Sequence, residues 1–167
     1  MREANEDESL RARVLTGGTI SARKGITFAA SNYRQEELND KDRAILAQTR
    51  HLPFVHYAIS YIRDALEMHK YRAHFGAAAH VIAKLERQPA LDDARQIAAL
   101  ADELWLCRGD LGAELGLRSM AEAVLRFSDS IGDLPVPVLL AGQVLEHMTE
   151  HPAPTRSEVC TLYEALL

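Results

Sequence analysis

Cysteine is scarce: Cys107 and Cys160 are the only two in 167 residues, one inside an apolar run and one inside a helical pattern. No paired spacing joins them, which excludes a disulfide framework and a cysteine zinc site and fits a reducing, cytoplasmic setting. Clustered positive charge is missing as well. The 19 basic and 24 acidic residues, a formal charge of -5, are spread along the chain. With no basic patch to displace counterions from a phosphate backbone, nucleic acid is not an expected partner. The opening MREANEDES has no apolar core, and no apolar run reaches the length of a membrane span, so neither a secretory leader nor a membrane partner is expected. No G-x-G-x-x-G follows any apolar run, which leaves a dinucleotide-binding fold without support. His147 and His151 stand four apart but lack the glutamate of H-E-x-x-H, and they read as a solvated helix face rather than a zinc site.

What the chain does have is apolar material, 47% of its residues, enough to bury one core. From Leu10 to Phe28 apolar and polar residues alternate around Gly17-Gly18, the pattern of a β-ribbon with a glycine turn. Residues 1–30 are accordingly read as one unit and 31–167 as a second, joined through the polar stretch SNYRQEELND. Asn39 is placed to cap a helix over DKDRAILAQTR. Four short apolar runs follow: FVHYAIS (54–60), HVIAKLE (80–86), ELWLCR (103–108) and VPVLLA (136–141). Each precedes a segment with helical spacing, such as Ala94, Ile97, Ala98 and Ala101, or Leu117, Met120, Ala121, Val124 and Leu125. Thr155 and Glu158 have capping-box spacing before Val159, Leu162 and Leu166. Continuous apolarity predicts strands covered on both faces, hence a parallel sheet. The expected fold is α/β, a partial (β/α) barrel of about four βα units behind a short β-ribbon.

Polar residues gather where each run ends: Ser60 with Arg63 beyond it, Lys84 and Glu86, Arg108 and Asp110, then Gln143 and Glu146. In a (β/α) barrel the carboxyl ends of the strands build the catalytic face. Glu86 and Asp110 are hard oxygen ligands suited to Mg²⁺ or Mn²⁺. Lys84 lies two residues before Glu86 and so on the same face of its strand, where a cation could stabilise charge on a phosphoryl group or an enolate. Gly109 and Gly112 allow a ligand close to the backbone. Trp105 and Phe127 read as packing.

The segments GGTISARKGITF, NDKDRAIL, AISYIR, VIAKLE, LCRGDLGAELGL and VLLAGQVLEHMTEHPAPTRSEV stand in the order and approximate spacing of pyruvate kinase motifs. From Leu10 onward the chain resembles the end of that family's lid domain followed by strands four to seven of its catalytic TIM barrel. The resemblance implies phosphoryl transfer between phosphoenolpyruvate and ADP, giving pyruvate and ATP, with Mg²⁺ and K⁺. It makes Lys84 the catalytic lysine, Glu86 and Asp110 the divalent-metal ligands, and Lys24 a nucleotide-side residue. The backbone at Gly109 and Asp110 would receive the substrate carboxylate, with Ser60, Arg108 and Gly142 as further substrate-side positions. The chain departs from the family at Gly142, where the family has threonine. Tyr61 for phenylalanine and Val144 for methionine are milder changes, expected to be accommodated by repacking. The family's first three barrel strands, with its K⁺ ligands, its eighth strand and its regulatory domain have no counterpart in this sequence. Four strands alone leave two open edges, so pairing with a second copy or a companion chain is expected. A Mg²⁺-dependent pyruvate-enolate lyase and a non-catalytic metabolite-binding module are the two other functions these residues suit.

Overall fold

The four apolar runs become the four strands of one parallel sheet, in the order in which they occur along the chain. The structure, a computed structural model, describes residues 3–4, 10–11, 13–15, 17–22, 26 and 38–166. A short antiparallel pair comes first, β1 (Glu3–Ala4) with β2 (Leu10–Arg11). Helix α1 (Asp40–Thr49) then opens on a full capping box. Asn39 Oδ1 accepts from the Asp42 N–H at 2.9 Å, and Asp42 answers on the Asn39 N–H at 3.3 Å.

The sheet alternates with helices: β3 (His56–Ile59), α2 (Ala65–Phe75), β4 (His80–Leu85), α3 (Gln88–Asp92), α4 (Ala94–Ala98), β5 (Glu103–Cys107), α5 (Arg108–Leu115), α6 (Leu117–Ser128) and β6 (Val138–Ala141). Helix α7 (Arg156–Leu166) follows. In β4 the period of two sends Val81, Ala83 and Leu85 to the helical side, where all three are fully buried. Leu104 and Leu106 of β5 join them, and Met68, Tyr71, Leu91, Ile97, Leu111 and Phe127 close the core from the helices. Helix α2 supplies that cover because Ala65, Met68, Tyr71 and Phe75 recur on one face, and it stops at Gly76, whose φ of +86° suits glycine. Arg72 fixes α2 against the sheet. It donates to the Leu100 carbonyl at 2.8 Å, the Ala79 carbonyl at 2.7 Å and Asp102 Oδ2 at 2.7 Å. Asp102 also accepts the Val81 N–H at 2.8 Å, so one ion pair sets the starts of two strands.

Three expectations are corrected. The ribbon does not turn at Gly17-Gly18: Leu10–Arg11 pair with Glu3–Ala4, and residues 13–15, 17–22 and 26 lie in no strand, the rest of that segment being outside the described residues. Val14, Leu15, Ile20 and Ile26 are more than 70% exposed, so among the described residues their alternation meets no second layer to be buried against. Secondly, the sheet is not covered evenly on both faces. His56 and Ala58 on the inner side are exposed and Leu139 is 47% exposed. Thirdly, Thr155 and Glu158 do cap α7 reciprocally, but Val159, Leu162 and Leu166 stay on its exposed side. On α6 likewise Leu117 and Leu125 point outward while Ala123 and Phe127 are buried.

Candidate active site

The inner face of the sheet is defined by register. Lys84 lies opposite Trp105, Trp105 opposite Leu139, and Cys107 opposite Ala141, so these side chains share one side. Ser60 follows β3, Glu86 follows β4, Arg108 to Asp110 form the first turn of α5 directly after β5, and Gly142 follows β6. Except for Lys24, which lies outside the described residues, every site residue expected from sequence thus falls at the carboxyl end of a strand.

Glu86 is the centre of a hydrogen-bonded network. Its side chain is fully buried and its Oε1 is ion-paired with the Lys84 ammonium. Its Oε2 accepts the Tyr61 backbone N–H at 2.7 Å. A carboxylate taken out of water needs such partners, because an unpaired buried charge is far costlier than the pair. Lys84 also donates to Ser60 Oγ at 3.1 Å, linking β4 to β3. Partial burial disfavours its ammonium, but the hydrogen bond and charge of Glu86, with Asp110 beyond, outweigh that and hold the Lys84 pKa above the ordinary lysine value. Lys84 is therefore a fixed positive charge at neutral pH.

Asp110 is held through Tyr61, whose phenol donates to Oδ1 at 2.8 Å. The Arg-Gly-Asp triplet is neither a loop nor a turn. It is helical from Arg108 onward, and no side chain caps the first turn of α5. Gly109 sits in open space, where a Cβ would meet nothing within 4 Å. Arg108 is turned toward β6: its Nη2 donates to the Gly142 carbonyl at 2.6 Å and the Gln143 carbonyl at 3.1 Å. Those two residues have φ of +85° and +52°, a pair of left-handed conformations that the guanidinium braces. The last turn of α5 is tied back toward the end of β4 by Arg87, whose Nε lies 3.5 Å from Glu114. Cys107 stands beside the network but is chemically quiet, since burial first and then the negative charge of Glu86 push its thiol up to about 12.

Tyr61 is the residue whose part was not anticipated. Its hydroxyl, read from sequence as a change absorbed by repacking, binds a candidate metal ligand. Its φ of +57° turns its N–H onto the other. Only a tyrosine just past a strand end hinted at this. Arg63 is engaged locally, with Nε 2.8 Å from Asp64 Oδ2 and its backbone N–H on Glu67 Oε2 at 2.9 Å. His147 and His151 stack with ring centroids 3.9 Å apart.

A divalent cation of the Mg²⁺ type is compatible with this donor set. Among the described residues no three His, Cys, Asp or Glu side chains gather as a metal cage. Mg²⁺ retains several waters, however, and is commonly bound through one or two carboxylates plus substrate oxygens. The Lys84 ammonium on Glu86 Oε1 shows that positive charge is already favoured there.

Buried core, parallel strands and a lysine with two carboxylates at their carboxyl ends define a barrel-type α/β protein with a polar strand-end site. The chain belongs to the pyruvate kinase family, whose barrel-domain model matches residues 1–167. Among curated proteins it is 31% identical over 168 residues to a pyruvate kinase of Mycobacterium tuberculosis, covering 99% of this chain and 36% of that protein. It is 32% identical over 160 residues to one of Agrobacterium vitis, covering 96% and 34%. To pyruvate kinase 2 of Synechocystis it is 30% identical over 161 residues, covering 95% and 27%. The chain thus spans about a third of the length of the curated relatives it matches. Among the described residues no helix is long and apolar enough to cross a membrane.

Proposed function

We propose that this chain carries the metal and substrate side of a pyruvate kinase site, acting in the cytoplasm in glycolysis on phosphoenolpyruvate and ADP. The observation that carries this reading is the single network joining Ser60, Lys84, Glu86, Tyr61 and Asp110 across three consecutive strand ends. Glu86 and Asp110 are the residues that would hold Mg²⁺ or Mn²⁺, which when bound supplies charge neutralisation for phosphoryl and enolate oxygens. Lys84 presents a permanent ammonium beside Ser60, placed to stabilise negative charge as the phosphoryl group leaves the enolate oxygen. The uncapped N–H groups of Gly109 and Asp110 at the start of α5 suit a substrate carboxylate. Arg108 acts on the protein rather than on substrate, bracing the turn at Gly142. Lys24 belongs to the nucleotide side. K⁺ is the family's monovalent partner.

A pyruvate-enolate lyase is the second reading, because it needs only the metal and an enolate, which Glu86, Asp110 and Lys84 are placed to stabilise. A retained metabolite-binding module needs the same contacts without turnover. In either enzymatic reading the sheet edges β3 and β6 and the open inner face call for closure by a second copy or a companion chain. The test is pyruvate formation from phosphoenolpyruvate with Mg²⁺ and K⁺, with and without ADP, across a range of protein concentrations, using Lys84→Met as control. ADP-dependent turnover lost in the variant supports the kinase; ADP-independent release of pyruvate by C–C cleavage of oxaloacetate, run as a second substrate without a phosphoryl group, supports the lyase; neither at any concentration leaves the binding module.

A further inference from the structure

Tyr61 touches both candidate metal carboxylates at once, through two different groups. Its backbone N–H is donated to Glu86 Oε2 at 2.7 Å and its phenol to Asp110 Oδ1 at 2.8 Å. The two carboxylates come from different strand ends, one after β4 and one in the first turn of α5, so no local geometry fixes their separation. Tyr61 is the residue that spans it. Its φ of +57° is a conformation a bulky side chain seldom adopts, held only where the surroundings over-determine it. Here the N–H bond to the buried Glu86 and the phenol bond to Asp110 do so from opposite ends of the residue.

From this geometry we propose that Tyr61 is a positioning residue for the divalent cation, resting on the reading of Glu86 and Asp110 as its ligands. Tyr61 occupies Glu86 Oε2 and Asp110 Oδ1, so positive partners fall on Glu86 Oε1, where the Lys84 ammonium already lies, and on Asp110 Oδ2. It fixes each carboxylate plane so that a cation would share Glu86 Oε1 with Lys84 and take Asp110 Oδ2. An ionised carboxylate oxygen has room for such a donor, and ligating carboxylates are commonly oriented by hydrogen bonds of this kind. The hydroxyl is the part that can be removed alone, since phenylalanine keeps the ring and the backbone bond to Glu86. A carboxylate freed to rotate penalises a small cation that demands near-octahedral geometry more than a larger, more tolerant one.

The experiment is calorimetric titration of the whole chain with Mn²⁺ and separately with Ca²⁺, for wild type, Tyr61→Phe and Asp110→Asn, with circular dichroism confirming that each variant is folded. Tyr61→Phe is expected to weaken Mn²⁺ binding by about 10- to 100-fold, the range for losing an orienting partner. Ca²⁺ should weaken less, so that the preference for the smaller ion narrows. A merely structural role would lower both affinities alike or neither, and that outcome overturns the inference. Tighter Mn²⁺ binding in Tyr61→Phe would mean that the phenol competes with the cation, and overturns it too. Mn²⁺ that fails to bind wild type, or binds Asp110→Asn equally well, sinks the ligand assignment itself and this inference with it.

Discussion

Replacing Lys84 by methionine isolates the energetics of the buried pair. Lys84 has 23% of its side chain exposed, whereas Glu86 has none. Without the ammonium, Glu86 keeps the Tyr61 N–H as a donor. Breaking a buried pair by removing one partner costs roughly 3–5 kcal/mol. The surviving hydrogen bond and the partial exposure of Lys84 place this case at the lower end, about 3 kcal/mol. For a chain of this size each kcal/mol moves the melting temperature by about 2–4 °C, so a fall of about 6–12 °C is expected. Glu86→Gln should cost less, about 1–2 kcal/mol, because the stranded ammonium can reach water. The double variant should then be less destabilised than the sum of the singles by about 1–2 kcal/mol, the coupling of a contacting pair. Urea unfolding of all four proteins at pH 7, with unchanged slopes, reads these values. If Lys84→Met lies within 0.5 kcal/mol of wild type, or the singles simply add, the buried-pair reasoning is wrong.

Other regions give equally definite expectations. Gly142→Ala and Gly142→Thr should each destabilise by about 1–2 kcal/mol, since φ is +85° but the surrounding space is open, so backbone conformation rather than crowding sets the cost; thermal melts of both variants decide it, and a neutral threonine contradicts it. Of the two thiols, exposed Cys160 should react with a disulfide reagent at pH 8 while buried Cys107, pushed up to about 12, should not; two fast-reacting thiols in the folded chain would refute this. Burial opposes the Asp102 carboxylate, yet the Val81 N–H and Arg72 hold its pKa below the ordinary value. Its contribution is therefore present above about pH 4, the unfolded value. It is lost as pH falls through the folded one, so Asp102→Asn should flatten the acid limb of a stability profile. Arg72→Ala, which removes three donors from α2, should cost about 2 kcal/mol in chemical unfolding.

Much of the sheet was legible because its signals are local. The apolar runs around Ile59, Ala83, Leu106 and Leu140 are short, separated by helical spacing, and each became a strand in its expected place. Asn39, and Thr155 with Glu158, announced helix starts by side-chain chemistry that needs no tertiary partner. Lys84 and Glu86 shared a face because a strand has period two. What the sequence hid depends on neighbours distant in the chain. Whether Val14, Ile20 or Leu166 is buried is decided by a facing layer, and the alternation or helical stripe is identical with or without one. The inner face looked buried throughout because Ala58 and Leu139 are apolar, although apolar composition does not state what lies opposite. Tyr61 was underestimated because its role rests on a positive φ and on a contact 49 positions away, neither of which a residue type encodes.

The most direct test of the proposed site is calorimetric titration of Mn²⁺ into the wild-type chain with and without oxalate, a planar mimic of pyruvate enolate, alongside Asp110→Ala. The site built on Lys84, Glu86 and Asp110 predicts that Mn²⁺ binds once per chain, that oxalate tightens it, and that the substitution removes both effects. Wild type and Asp110→Ala behaving alike, with oxalate changing neither, would contradict it.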